Sequence, residues 1–118
     1  MGPDERQIQL LRDEQRGVRR QRVLLAGRLV YGDAHLTLDC AIRDLSEGGA
    51  RIRLGSPVLL PAQVWLIEVR SATAFSCEVA WRRAPEFGVR FLERRDLRAD
   101  PAPELKPLKR VWIESAAR

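Results

Sequence analysis

The sequence has few of the residues that catalytic and metal sites use. Among its 118 residues are one histidine, His35, and two cysteines, Cys40 and Cys77. Two separated cysteines and a single histidine are too few for a disulfide framework or a zinc site. The histidine has no placed partner, and no paired carboxylates lie at catalytic spacing. The sequence therefore predicts a protein that is not an enzyme and has no cofactor or metal.

Long apolar runs are also absent. No run approaches the roughly 18 residues that a membrane-spanning helix needs, and the N-terminus is polar rather than signal-like. We therefore predict no membrane span and a cytoplasmic location with reduced thiols. What the chain has in excess is positive charge, because 21 lysines and arginines outnumber 16 acidic residues and give a net charge of +5. This excess favours a polyanionic partner, either a nucleotide, a nucleic acid or a membrane surface.

The length predicts a single domain with one core. Short segments in which apolar and polar residues alternate are separated by turn residues, as in an antiparallel sheet. Six strands are predicted, at 23–31, 37–43, 50–54, 64–69, 75–82 and 87–91. Cys40 and Cys77 fall in core registers of these strands. The predicted fold is mainly β, a six-stranded antiparallel barrel.

Three parts of the chain differ in composition. Residues 1–22 form an N-terminal segment with an arginine-rich arm, residues 23–93 form the barrel, and residues 94–118 form a C-terminal extension. The first part includes a short amphipathic helix predicted over 4–16.

Within the C-terminal extension, residues 108–117 are predicted as a short helix that begins at Pro107 and lies across one mouth of the barrel. A strand through 111–113 is the alternative for this segment. Prolines at 101 and 103 break regular structure before it.

The turn between the second and third predicted strands combines turn formers with hydrogen-bond acceptors. It reads Asp44-Leu45-Ser46-Glu47-Gly48-Gly49. Asp44 can accept hydrogen bonds from N1 and N2 of a guanine, and Ser46 can reach a base edge or a phosphate. Gly49 allows a close approach to the backbone.

A basic tract precedes the first strand and contains Arg16, Arg19, Arg20 and Arg22. Arginine offers a rigid fork of donors that matches two phosphate oxygens or the O6 and N7 edge of guanine, and it stacks on purines. Tract and turn together suit a guanine nucleotide. Taken alone, the tract is more typical of a solvated, mobile arm without a ligand, because like charges so close together repel.

In their order and spacing these residues resemble the PilZ family, the bacterial receptors for cyclic di-GMP, whose signature is RxxxR followed by [D/N]xSxxG. Arg16 and Arg20 match the first motif, and Asp44, Ser46 and Gly49 match the second. Arg12 and Arg16 also satisfy RxxxR but lie farther from the strand. The resemblance covers about residues 16–93 and implies a six-stranded antiparallel barrel with a C-terminal helix.

The resemblance implies a receptor or adaptor that binds cyclic di-GMP without catalysis. The implied ligand contacts are Arg16, Arg20, Asp44, Ser46 and Gly49, with additional contacts from Arg19, Arg22, Gly48 and Arg51. The arm would fold over the ligand, and its change of conformation would signal to a downstream protein partner. Because Gln15 stands where members that bind a stacked ligand dimer often have arginine, binding of one or two molecules stays open.

Two other functions compete with this one. The first is a PilZ-like interaction module that binds no nucleotide. The second is a nucleic-acid-binding small barrel that uses Arg51, Arg53, Arg82 and Arg90. Nucleic acid is the weaker expectation, because most of the aromatic residues fall in core registers rather than on an exposed stacking face.

Overall fold

The structure is a computed structural model that describes residues 21–34 and 36–118. It contains six strands and one α-helix: β1 (Gln21–Tyr31), β2 (Leu36–Leu45), β3 (Gly49–Leu54), β4 (Gln63–Glu68), β5 (Thr73–Arg83), β6 (Glu86–Asp96) and α1 (Lys106–Ala116), the last preceded by a 3₁₀ turn at Pro103–Leu105. The prediction of a mainly β fold with six strands and a short C-terminal helix is confirmed. The helix predicted over 4–16 lies outside the described residues.

The strands form one antiparallel sheet in the order β1-β2-β3-β6-β5-β4. β1 pairs with β2 along most of its length and also with β4 over residues 27–30, so the two ends of this order are hydrogen-bonded to each other. The sheet therefore closes on itself. Because side chains alternate between the faces of a strand, one set points inside the closed sheet and the other points outward.

The inward set forms the main core. Its buried residues are Leu29, Ile42, Ile52, Leu54, Leu60, Val64, Leu66, Phe75, Cys77, Phe87 and Val89. Cys77 is 1% exposed, and the partly buried Cys40 packs against the same cluster. Both cysteines thus occupy the core registers that the alternation predicted.

A second apolar cluster lies on the outer face of the sheet and determines where α1 lies. Val30 and Ile67 follow the inward residues Leu29 and Leu66, so they point outward, where residues of α1 such as Leu108 cover them. The expected position across a mouth of the barrel is therefore wrong. The helix lies outside because Val30, Ile67 and their neighbours expose an apolar surface there, and each side chain buried against it contributes about 1.5 to 3 kcal/mol.

Polar contacts anchor the same helix. The indole Nε1 of Trp112 donates a hydrogen bond of 2.9 Å to the carbonyl of Val69, and the Arg98 guanidinium lies 5.5 Å from the centre of the Trp112 ring. Arg98 also donates to the carbonyl of Arg70. These contacts connect α1 to the loop after β4.

Candidate functional site

The predicted ligand turn is the connection between β2 and β3. Ser46 donates two hydrogen bonds to the carbonyl of Gly49, one of 2.9 Å from its backbone N–H and one of 3.2 Å from its hydroxyl. Ser46 therefore fixes the shape of the turn. Its hydroxyl would have to share or leave this bond in order to donate to a ligand.

The two glycines of the turn have different surroundings. A Cβ on Gly49 would lie 2.2 Å from the carbonyl oxygen of Val89, because β3 and β6 approach closely there. The close approach predicted at Gly49 is thus an approach to a neighbouring strand. Gly48 is exposed, and a Cβ added to it would meet no atom within 4 Å.

Asp44 is held by Arg51. The Nε of Arg51 donates to Oδ2 of Asp44, and its Nη1 donates to Oε2 of Glu86. The hydrogen bond with Asp44, followed by the charges of Asp44 and Glu86, raises the pKa of the Arg51 guanidinium above its ordinary value. Among the described residues no donor bonds to Oδ1 of Asp44.

Asp44 and Arg51 belong to a row of residues that crosses five strands. In the register of the sheet Arg22 pairs with Asp44, Asp44 with Arg51, Arg51 with Gly88, and Gly88 with Trp81. Neighbouring strands are about 4.8 Å apart, and directly opposed side chains point to the same face. The row therefore brings arginine, carboxylate and indole groups onto one outer surface, which we call the outer row.

Trp81 is a member of this row that the sequence reasoning missed. The alternation of β5 predicted Trp81 on the core face, but the pairing with β6 shifts between Val79 and Trp81, and this irregularity turns the indole outward. Trp81 is 44% exposed and lies over Gly88, where a Cβ would be 1.9 Å from its Nε1. The sequence did contain a signal for this position of Trp81: Gly88 lies inside the facing strand β6, and a glycine there leaves room for a large neighbour.

The structure thus brings together part of the predicted site. Asp44, Ser46, Gly48 and Gly49 lie in one connection, with Arg51 bound to Asp44, and the exposed Arg22 lies opposite Asp44 at the start of β1. Arg16, Arg19 and Arg20 lie outside the described residues, as does His35.

Two further observations concern residues 21–34 and 36–118 only. No group of three or more histidine, cysteine, aspartate or glutamate side chains is arranged there to hold a metal ion. None of the helices in this part of the chain is both long enough and apolar enough to cross a membrane.

Comparison with known proteins identifies the family. A family model described as the PilZ domain matches residues 11–100, which is most of the chain. The chain therefore belongs to the PilZ domain family, as the two motifs predicted. A search of curated proteins found no match.

Proposed function

We propose that this protein is a receptor or adaptor that binds cyclic di-GMP, has no catalytic activity and signals to a partner protein. Membership of the PilZ domain family supports the ligand class. The observation that carries the proposal is the outer row, because it aligns Asp44, Arg51 and Trp81 beside the turn of Ser46 and Gly49. The row also includes Arg22, two residues after the proposed ligand residue Arg20.

Each group has a distinct task in guanine recognition. Oδ1 of Asp44 accepts from N1 or N2 of the base, while Arg51 keeps the carboxylate in place through Oδ2. The exposed face of Trp81 offers a surface on which a second base can stack. Arg16 and Arg20 supply the forks of donors that hold a base edge and a phosphate.

The ligand contacts come from two parts of the chain, and this division provides a route for signalling. Asp44, Ser46 and Arg51 belong to the sheet, whereas Arg16 and Arg20 belong to the arm before β1. A ligand held by both groups closes the arm over the outer row. The closed arm and the covered row then form a different surface for a partner protein.

Isothermal titration calorimetry with cyclic di-GMP tests the proposal. We expect the wild-type protein to bind, and Arg16→Ala and Arg20→Ala each to abolish binding without changing the melting temperature. Arg110→Ala, at an exposed position of α1, is the matched control and leaves affinity unchanged. Unchanged affinity in both arm variants would refute the assignment.

The internal contacts of the motif favour a second candidate, an interaction module that binds no nucleotide. Asp44 is ion-paired to Arg51, Ser46 bonds within its own turn, and Gly49 is required by the approach of β6. These roles would exist without a ligand. Absence of heat on titration of the wild-type protein, together with a co-purifying partner protein, would establish this candidate instead.

The nucleic-acid alternative has less support. Of its four proposed arginines, Arg51 and Arg90 form ion pairs with carboxylates, and Arg82 donates to the carbonyls of Leu60 and Pro61. Phosphate contacts by these side chains would require them to give up internal partners.

A further inference from the structure

An open cavity of about 690 Å³ lies at the end of the closed sheet where β1 begins and β2 ends. Its apolar part includes Leu45, Phe75 and Phe91. The two phenylalanine rings are stacked, with centroids 3.9 Å apart and planes at 12°. We call this space the acidic cavity because of the carboxylates described next. Its volume is in the range of small-ligand sites, roughly 300 to 1,000 Å³.

Glu68 is the most unusual group of the acidic cavity. It continues the inward set of β4 after Val64 and Leu66, and it is only 7% exposed. Its Oε2 accepts a hydrogen bond of 2.5 Å from the backbone N–H of Ser71, and no cationic side chain of the described residues forms an ion pair with it. A carboxylate this buried, with no counter-charge among residues 21–34 and 36–118, is costly, so a cation that reaches Glu68 gains a strong partner.

The other residues that line the acidic cavity also favour a cation. Glu47 adds a carboxylate at the exposed rim, and Glu93 adds another that also bonds to Arg95 at 2.9 Å. The Arg94 guanidinium lies 5.9 Å from the centre of the Phe75 ring, which is the geometry of a cation–π contact. The aromatic lining therefore already accepts the guanidinium of Arg94. The lining residues carry three carboxylates against this one guanidinium, which favours a further cation over an anion such as a nucleotide.

We propose that the acidic cavity is a binding site for an alkylguanidinium or alkylammonium group, separate from the outer row. The charged head bonds to Glu68, and the alkyl part packs against Phe91 and Leu45. Such a group can belong to a free small cation or to a basic side chain of a polypeptide. The outer row and the cavity lie on opposite faces of the sheet, but Ser46 of the motif turn lines the cavity, so the test below is carried out without cyclic di-GMP.

Nuclear magnetic resonance of the ¹⁵N-labelled full chain tests the site with butylguanidinium as the probe and the neutral, nearly isosteric butylurea as its control. We expect saturable shifts at Ser71, whose N–H bonds to Glu68, with butylguanidinium and none with butylurea at the same concentrations. Acetyl-Leu-Arg-Leu-amide distinguishes the sources. If the peptide binds more tightly than butylguanidinium, the ligand of the cavity is a basic side chain of a polypeptide. If it binds equally or more weakly, the ligand is a free small cation.

Two carboxylate variants complete the test. Glu68→Gln keeps the shape and removes the charge, so the affinity for butylguanidinium should fall at least about tenfold. Glu47→Gln, at the exposed rim, should weaken binding to a smaller extent and keeps the test decisive if the Glu68 variant does not fold. Glu104→Gln, on the 3₁₀ turn before α1, is the control without effect. Three results would each overturn the proposal: equal shifts with butylurea, no saturable shift at Ser71, or unchanged affinity in whichever of the Glu68→Gln and Glu47→Gln variants fold.

Discussion

At the scale of single residues, Trp81 is a large apolar side chain of the outer row that the fold leaves 44% exposed. Truncating an exposed indole changes the stability of the protein little, whereas a base stacked on it contributes about 1 to 3 kcal/mol to the binding free energy. We therefore expect Trp81→Ala to weaken cyclic di-GMP binding by about fivefold to 150-fold in calorimetry, with Trp81→Phe between the variant and the wild type.

The outcomes for Trp81 separate two claims. If the wild type binds and Trp81→Ala binds equally well, the nucleotide function stands and stacking on Trp81 is excluded. Trp112→Phe is a matched control, because Trp112 lies on α1, where its indole donates to the carbonyl of Val69, and is not part of the outer row. It should leave the affinity unchanged.

The two thiols give a second prediction at this scale. Desolvation by burial raises the pKa of Cys40 and of Cys77 to about 12. Since the thiolate is the reactive form, its fraction at pH 8 is about a thousandfold below that of a thiol with the ordinary value of 9.0. Reaction of the native protein with a chromogenic disulfide should be at least about a hundredfold slower than in denaturant. Fast labelling of either cysteine in the native state would contradict this prediction.

At the scale of elements, the β2–β3 connection contains two adjacent glycines, Gly48 and Gly49, of which only Gly49 is packed against another strand. A Cβ at Gly49 would clash with backbone of β6, which cannot move aside as a side chain can. Gly49→Ala should therefore destabilise the protein by about 2 to 4 kcal/mol in urea unfolding. Gly48→Ala, one residue earlier in open space, is the control and should stay within about 0.5 kcal/mol of the wild type. Equal stability of the two variants would contradict the close β3–β6 approach.

The helix α1 gives the next prediction at this scale. Leu108 is 4% exposed in the outer cluster, whereas Ile113 on the same helix is 59% exposed. Leu108→Ala should cost about 2 to 4 kcal/mol of unfolding free energy, because it removes buried contacts and leaves a cavity. Ile113→Ala should cost much less. Similar losses at both positions would show that α1 does not cover the outer face of the sheet through Leu108.

Strand ends could be predicted from sequence to within two residues, because alternation and turn residues are local signals; the exception is β6, which continues to Asp96 instead of ending at residue 91. The orientation of Trp81 could not, since a one-residue irregularity in pairing reverses which face a side chain occupies. Likewise, the contact of Gly49 with β6 depends on a strand some forty residues away. For the candidate site, the sequence identified the chemistry of Asp44 and Arg51, and only the register of the sheet revealed that they bind each other.

At the scale of the whole molecule, the pairing that closes the sheet and the place of α1 depend on contacts between distant parts of the chain. β1 meets β4 across more than thirty residues, and nothing in either strand alone specifies that partner. The apolar outer residues Val30 and Ile67 did carry a signal, because they interrupt the expected polar outer face. Reading them as an outward apolar surface would have predicted a helix against the sheet rather than across its mouth.

Ion pairs link the C-terminal segment to the sheet and make the stability of the whole molecule dependent on pH. The hydrogen bond from Arg95 lowers the pKa of Asp100, and the hydrogen bond from Arg28 lowers that of Asp39, which also pairs with Arg118. A carboxyl group whose folded pKa lies below its ordinary value of 3.8 contributes stability that is complete above that value. This contribution is lost as the pH falls through the folded pKa.

We therefore expect the melting temperature of the wild type to fall as the pH decreases below 3.8, and to fall less steeply in the double variant Asp39→Asn/Asp100→Asn. Asp33→Asn is the matched control, because Asp33 is an exposed turn residue with φ of 57°, a conformation that asparagine also adopts. Its acid profile should follow that of the wild type. Parallel profiles for the wild type and the double variant in differential scanning calorimetry would show that other groups control acid unfolding. A shallower profile in the double variant alone assigns the acid sensitivity to the pairs of Asp39 with Arg28 and Arg118 and of Asp100 with Arg95, since Asp33 carries the same charge without those partners.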